Sequence, residues 1–213
     1  MSQRLFLCAV LIAAPELSAQ VCDSWRARAG DTTIDLAPPR GFIEVCATNH
    51  RLCGVLTAGY PPSVQTLGYF VAANDWERFR KDSSLGLNHY LIAQVALTRG
   101  ADQLPGFKSY LRAQQGDIPD HSQLPSTLAA QGRMPLGILD ETPTSISSGV
   151  VMAARPVTSS SSASIVLVAS NSAAAVSGRL LSLYVYLSYK NESDIDSVKA
   201  VTKKWLQCIA DAN

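Results

Sequence analysis

Residues 164–212 carry the strongest structural signal in the chain, and they read SIVLVASNSAAAVSGRLLSLYVYLSYKNESDIDSVKAVTKKWLQCIADA. The segment begins with a predicted strand at 165–169, continues through a connection of small residues, and enters a longer predicted strand at 180–189. Apolar residues occupy every second position of the longer strand, so they share one face, and that face needs a core. The opposite face carries Tyr184 and Tyr186 and is mixed in polarity, as in a sheet buried on one side.

The residues after this hairpin predict the best amphipathic helix of the chain. Its apolar side chains recur at steps of three and four, a spacing that fits a helix and excludes a strand. They are Ile195, Val198, Val201, Trp205, Cys208, Ile209 and Ala212. Ser193 is the predicted N-cap, with Asp196 three residues later as a short capping box. The apolar face of the hairpin and this helical stripe predict two layers that pack on each other.

The composition and the N-terminal segment limit the class of protein. The chain has 213 residues, 47% of them hydrophobic and 16% charged, with a formal net charge of +1. This composition argues against global disorder, and the near-neutral charge gives no electrostatic case for binding nucleic acid. Residues 1–19 combine an early arginine with a short apolar run, which predicts a signal peptide cleaved after Ala19. A buried N-terminal helix and a lipid anchor at Cys22 are the alternatives. We therefore predict one exported α+β domain over 20–213, periplasmic or secreted, without an integral membrane segment after processing.

Four cysteines remain once Cys8 leaves with the signal peptide, and an even number in an exported chain favours two disulfides. Four cysteines allow three pairings. Cys46 and Cys53 are close in sequence, but seven helical residues rise about 10 Å, so they can bond only if Cys46 precedes the helix. Cys22 with Cys208 then joins the two ends of the domain. Buried free thiols are the alternative.

The rest of the sequence predicts strands and helices that alternate ahead of a strand meander. The predicted strands lie at 42–45, 66–72, 88–98, 136–139 and 145–154, and the predicted helices lie at 48–57, from 74, at 104–115 and at 122–131. Residues 21–31 are predicted to form an arm laid on the domain. With the last segment, this order predicts an α+β fold in which helices cover an antiparallel sheet. Its C-terminal β-hairpin is followed by a long amphipathic helix.

The element order and the segment 141–147, ETPTSIS, which leads into a strand, resemble the PsbP-like fold. The motifs Gly59-Tyr60-Pro61-Pro62 and Gly68-Tyr69-Phe70 are similar to those of uncharacterised exported bacterial proteins. The first resemblance covers about three quarters of the chain. It implies binding or assembly-support roles outside the cytoplasm more often than catalysis, and it supplies no catalytic residue.

Motifs for catalysis are not found in the sequence. It has no nucleophile elbow, zinc-protease helix or phosphate-binding glycine loop, and no Cys-x-x-Cys pair for zinc or redox chemistry. His50 is interpreted as exposed on a short helix and His89 as half-buried at the start of a strand. Asp117, Asp120 and His121 could gather around a metal, but their loop context favours a role in turns. We predict no catalytic residue, cofactor or metal site, and we leave open a hydrolase whose Ser/His/Asp site has a nonstandard order.

Tyr184 and Tyr186 are the predicted binding residues. Two tyrosines on a strand face that helices leave open can form a patch for a protein or a ligand, and half-buried packing is the alternative. The Gly59-Tyr60-Pro61-Pro62 motif can also dock a partner, or serve as a rigid turn. The sequence therefore predicts a non-enzymatic exported domain that binds an envelope protein or supports an envelope assembly. The alternatives are an envelope hydrolase and a small-ligand carrier with a pocket between sheet and helices.

Overall fold

The computed structural model describes residues 22–83, 86–114, 120–154 and 165–213. The strands in these residues are β1 (Arg26–Ala29), β2 (Thr32–Asp35), β3 (Phe42–Glu44), β4 (Val64–Ala72), β5 (His89–Gly100), β6 (Arg133–Thr142), β7 (Ser145–Ala154), β8 (Ile165–Val176) and β9 (Arg179–Ser188). The helices are α1 (His50–Thr57), α2 (Ala73–Lys81), α3 (Leu104–Ala113), α4 (Leu124–Gln131) and α5 (Ser193–Ala212).

Seven strands form one antiparallel sheet in the order β3-β4-β5-β9-β8-β7-β6, while β1 and β2 form a separate hairpin. The predicted fold class is confirmed: helices cover an antiparallel sheet, and a C-terminal hairpin precedes a long amphipathic helix. The strand order places β9 between β5 and β8. The last hairpin is therefore the centre of the sheet, and both of its faces are available for packing.

The predicted connection of small residues is instead the second half of β8, which continues to Val176. The turn consists of Ser177 and Gly178, whose φ values of 49° and 78° suit a two-residue hairpin turn. Serine and alanine are weak strand formers, so local pattern did not indicate a strand there. In the sheet they let α5 approach closely, and Ser170 Oγ lies 2.6 Å from Thr202 Oγ1 in the buried interface.

Helix α5 lies across one face of the sheet, which we call the α5 face. Val198 and Trp205 are each 1% exposed, and they share a core cluster with Leu183 and Val185 of β9. The Trp205 indole donates a hydrogen bond to Leu36 O at 2.8 Å, which satisfies its buried N–H. The predicted packing of the hairpin under the final helix is therefore confirmed.

The predicted N-cap of α5 is wrong. Ser193 is already the first helical residue, and its backbone N–H donates to the Asn191 side-chain oxygen at 3.0 Å. The Asp194 carboxylate reaches back and accepts from the backbone N–H groups of Lys190 and Asn191, at 2.6 and 3.0 Å. Asparagine and aspartate thus cap the helix from both sides of its first turn, and Ser193 donates its hydroxyl to Asn191 as well.

The predicted N-terminal arm is largely the β1–β2 hairpin, which turns at Gly30 with a φ of +63°. Ile34 and Leu36 are fully buried against the α5 face, so the hairpin completes that core. Sequence analysis missed it because β1 spans only four residues and half of them are exposed arginines. So short an alternation does not distinguish a strand from an irregular arm.

The opposite face of the sheet, which we call the second face, is covered in two separate zones. Helices α1 and α2 cover β4 and β5, where Trp76 and Phe79 pack inward as predicted for a helical spacing. Helix α3 covers the far end, where Leu104 packs with Ile146 and Leu180. Between the two zones lie the residues of β9 and β8 that form the candidate site.

The structure joins Cys46 to Cys53 and Cys22 to Cys208, with Cα atoms 4.8 and 6.0 Å apart. Cys46 precedes α1, as the predicted pairing requires, and the helix is capped by Asn49 through the N–H of Leu52. In the chain-entropy model, a loop as long as the second one contributes on the order of 5 kcal/mol. The pairing in solution stays a prediction that chemical mapping can test.

Candidate binding surface

The register of β9 directs its tyrosines to the second face. Because Leu183 and Val185 point at α5, the alternating Tyr184 and Tyr186 must point the other way. Tyr186 lies directly opposite Tyr90 of the neighbouring strand β5. Both β9 tyrosines are half-buried, so the predicted binding residues sit at the border between the core and solvent.

Four tyrosine rings form a continuous stack across three strands, which we call the tyrosine row. The rings of Tyr69 and Tyr90 are stacked with centroids 5.4 Å apart, and those of Tyr90 and Tyr186 with centroids 4.8 Å apart. The row continues from Tyr186 to Tyr184 at 6.3 Å. Tyr69 is only 2% exposed and Tyr90 is 8% exposed, whereas the two β9 rings are half-buried. The row is therefore anchored in the core at one end and open at the other.

Burial keeps the hydroxyls of Tyr69, Tyr90 and Tyr186 neutral. It raises the pKa of Tyr69, Tyr90 and Tyr186, and neighbouring phenols raise each of these pKa values further. A tyrosine whose pKa lies above its ordinary value near 10 stays protonated at physiological pH. Each of these hydroxyls can thus both donate and accept a hydrogen bond without carrying charge.

A fifth phenol and a buried amide adjoin the row. Tyr60, in the loop after α1, has a pKa raised chiefly by burial and also by Tyr184. Gln94 lies beside the Tyr60 hydroxyl and lowers that pKa by a smaller amount. Gln94 is 5% exposed, and its Nε2 forms no well-aligned hydrogen bond to any described residue. The centre of the second face therefore has hydrogen-bond donors in excess.

Beyond the row, the second face continues with small and uncharged residues. Asn171 lies opposite Tyr184, and Ser148 of β7 lies opposite Asn171. Val150 occupies the next position along β7 on the same face, and all three side chains are partly exposed. We call Ser148, Val150, Asn171, Tyr184 and Tyr186 the tyrosine face. Its groups offer apolar contact and neutral hydrogen bonds, and they contain no buried nucleophile beside a base.

The histidines do not join this face. His50 is exposed, and His89 is half-buried with its ring edge-on to Phe42 at a centroid distance of 4.9 Å. Burial lowers the pKa of His89, while the Asp75 carboxylate opposes that shift. The suggested grouping at Asp117, Asp120 and His121 lies largely outside the described residues. Across the part of the chain that is described, no group of three or more potential ligands could hold a metal.

Sequence analysis predicted the two half-buried tyrosines of β9 as binding residues, but it did not predict that the rings of Tyr69 and Tyr90 stack behind them. Tyr69 and Tyr90 lie in the strands predicted at 66–72 and 88–98, so their positions in strands were predicted. What was not predictable was that β9 inserts next to β5, because strand order depends on contacts distant in sequence.

Each described helix is too short or too polar to cross a membrane.

Fold and surface together define an α+β domain with a neutral, aromatic surface on the second face of its sheet. No protein-family model and no curated protein matches the chain. Among solved structures it is similar to the Saccharomyces cerevisiae Ran-binding protein Mog1p, at 14% identity and a TM-score of 0.45, covering 90% of this chain and 93% of that one. A mutant of Mog1 is similar at the same identity and TM-score, with 90% and 94% covered. At this level, the likeness carries no argument about what the present chain binds.

The resemblance to the PsbP-like fold was wrong, because the solved structures that match are those of Mog1, which has a different fold family. The order of elements is shared by unrelated α+β folds, and segment 141–147 is the end of β6, a two-residue turn at Pro143 and Thr144, and the start of β7. The predicted function, an exported domain that serves the envelope, was wrong with it, and so was the description of the chain as PsbP-like, periplasmic or secreted.

We keep the prediction that the partner is a protein, and we withdraw the prediction that this protein belongs to the envelope. Residues 1–19 lie outside the described residues. Three statements therefore stay predictions: the signal peptide at 1–19, the domain boundary at 20–213, and a location inferred from the signal peptide alone.

Proposed function

We propose that this chain is a protein-binding domain that holds its partner on the tyrosine face, with Tyr184 and Tyr186 as the anchors. The observation that supports this most is the tyrosine row, which runs from the buried ring of Tyr69 to the half-exposed ring of Tyr184. Tyrosine is enriched at the energetic centres of protein interfaces, where its ring is buried and its hydroxyl finds a partner.

The row would bind at a low entropic cost. Each ring is already held between its neighbours, and Tyr90 and Tyr69 are locked in the core. A side chain that is ordered before binding loses little rotamer freedom on binding, which otherwise costs about 0.5–1.5 kcal/mol for each immobilised side chain. Rigid aromatic anchors of this kind provide contact area without that cost.

The chemistry of the face indicates a neutral partner segment. The face is uncharged, so a charged segment would lose its hydration without gaining an ion pair. The bordering charges near α3 are already satisfied, because Lys108 and Arg112 both pair with Glu141. The arginine side chain, as the main cause, and the lysine together lower the pKa of Glu141. The partner would supply apolar side chains and hydrogen-bond acceptors, such as backbone carbonyls, to the phenols and the amide.

Site-specific crosslinking tests the location of the surface. The photoreactive residue p-benzoylphenylalanine replaces Tyr184 in one protein and Lys199, exposed on α5 at the opposite face, in the other. The proposal expects one partner to be crosslinked from position 184 and not from position 199. Crosslinking of the same proteins from both positions would show that the tyrosine face is not the binding surface.

Affinity measurements with the partner captured in this way test the anchors. Tyr184→Ala and Tyr186→Ala should each weaken binding by about 2 kcal/mol, roughly thirtyfold, as expected for interface hot spots. Tyr184→Phe separates the ring from the hydroxyl. Tyr189→Ala is the matched control, because it removes another half-buried tyrosine that packs on the α5 core. Equal losses in the control and in the two face variants would contradict the proposal.

A further inference from the structure

Strand β4 is paired along only part of its outer side. It has nine residues, and β3 pairs with the last three, Phe70 to Ala72. One further bond joins Val45 N to Tyr69 O at 3.0 Å. At residues 64–68, β5 is bonded to one side, and within the described chain no strand is bonded to the other. The sheet therefore ends in an open edge about five residues long.

The edge is open because β3 is turned away from it. The Glu44 carboxylate accepts hydrogen bonds from the backbone N–H groups of Cys46 and Ala47, at 3.1 and 2.7 Å, and from Tyr69 at 3.2 Å. These bonds lead the chain out of the sheet into the loop that the Cys46–Cys53 disulfide closes. The chain after β3 thus lines the edge at residues 64–68 through Cys46 and Ala47 without pairing with it, and the one edge carbonyl with a described partner is Leu67 O, which accepts from the Trp25 indole.

A groove of about 500 Å³ runs along this edge. Its floor is residues 64–68 of β4, and its walls come from two different layers. Trp25 forms one wall, where its indole packs edge-on against Phe70 at 6.2 Å and donates to Leu67 O at 3.3 Å. Tyr60 and Pro61 form the other wall, so the motif at 59–62 lines the groove and is more than a turn.

We infer that this edge groove binds an extended segment of a protein partner, which adds to β4 as a further strand. Unpaired strand edges recruit extended peptides because the backbone groups of both chains become hydrogen-bonded. Five residues span about 17 Å at the rise of a strand, which matches a short linear segment. Successive side chains of the added strand would point alternately at Trp25 and at Tyr60. The segment therefore carries apolar residues at the alternating positions that face Trp25 and Tyr60.

This inference goes beyond the proposed function, because it concerns another surface. The edge groove is formed by β4 and its flanking loops, whereas the tyrosine face is formed by β7, β8 and β9. Its specificity also differs: main-chain hydrogen bonds give the affinity and alternate side-chain contacts give the selection. The two surfaces adjoin at Tyr60, which lines the groove and neighbours Tyr184, so a variant that tests one surface alone must lie away from Tyr60.

The first test uses backbone methylation. The probe is an acetylated, amidated peptide of alternating threonine and valine, six residues long, titrated into the ¹⁵N-labelled protein. Two further peptides carry N-methyl groups on one or the other alternate set of amides. The unmethylated peptide should shift the amide signals of residues 64–68 and protect the alternate amides that face away from β5, and one methylated peptide should bind at least about tenfold more weakly because it loses its bonds to the edge. Equal binding of all three peptides, or no change at 64–68 at millimolar peptide, would overturn the inference.

The second test uses a matched pair of variants. Ala47→Trp places an indole in the groove from an exposed wall position, and Ala58→Trp places one at an exposed position after α1 outside the groove. The first should weaken peptide binding at least about tenfold and the second less than about twofold. Unchanged binding in Ala47→Trp, with its melting temperature preserved, would refute the assignment. Val150→Ala changes the tyrosine face on β7, four strands away from β4, and should leave peptide binding unchanged, so the two surfaces succeed or fail separately.

Discussion

The contact between Ser170 and Thr202 gives the most direct test of how α5 sits on the sheet. Their hydroxyl oxygens are 2.6 Å apart, and the residues are 1% and 2% exposed. This contact joins the middle of β8 to the middle of the helix. Thr202→Val keeps the shape of the side chain and removes the hydroxyl, so its effect reports the hydrogen bond with little change in packing.

The expected loss of stability comes from the hydroxyl group that loses its hydrogen-bond partner. In Thr202→Val the Ser170 hydroxyl remains buried without its partner, which costs about 1–3 kcal/mol of the free energy of unfolding. Ser170→Ala should cost a similar amount for the same reason. The double variant removes both polar groups and should recover most of the loss, because two apolar groups of the same shape are nearly neutral in place of a hydrogen-bonded pair. The double-mutant cycle should therefore show a coupling energy close to the sum of the two single losses, about 2 kcal/mol or more.

Urea unfolding followed by tryptophan fluorescence and by circular dichroism measures these free energies. Ser197→Ala is the control, because its hydroxyl makes a hydrogen bond to Ser193 O at 2.9 Å on the exposed side of the same helix. It should change the free energy of unfolding by less than about 0.5 kcal/mol. A neutral Thr202→Val, or additive losses in the double variant, would show that the helix does not contact β8 at this point.

The remaining predictions concern the core, the disulfides and pH. Trp205→Ala should cost about 3–5 kcal/mol, because the ring is 1% exposed, and an unchanged melting temperature would place it in solvent. Non-reducing peptide mapping should recover the two disulfides described above, and free or mixed thiols would overturn that pairing. Because burial lowers the folded-state pKa of His89, its neutral form stabilises the fold above the unfolded pKa near 6.5. The free energy of unfolding should then fall as the pH drops through 6.5 towards the folded pKa. His89→Leu should reduce this pH dependence, measured by urea unfolding at several pH values. An unchanged pH dependence in this variant would contradict the prediction.

The parts of the fold that sequence analysis predicted are those with a local period. The stripe from Val198 to Trp205 repeats at helical spacing, and Leu183 and Val185 alternate at strand spacing. The sequence of each element alone therefore indicates which of its faces is buried. The two faces could then be matched because each needs apolar cover. Neither step requires knowledge of any other strand.

The parts that were missed depend on partners distant in sequence. The second half of β8 is a strand only because small residues such as Ser172 fit beneath α5, which no local propensity indicates. The tyrosine row needs β4, β5 and β9 to be neighbours, although β6, β7, β8 and two α-helices lie between β5 and β9 in the sequence. The PsbP-like resemblance failed for the same reason, since element order alone does not determine strand order.

The central position of β9 connects the core of the molecule to its candidate surface. Val185 and Tyr186 are adjacent in the chain, yet the first packs under α5 and the second belongs to the tyrosine row. A strand that is bonded on both sides and packed on one face cannot move without breaking two ladders and a core. The tyrosine face is therefore held as firmly as the core itself, whereas the open edge of β4 is bonded on one side only. A rigid face suits preformed contacts, and an open edge suits a partner segment that becomes ordered as it binds.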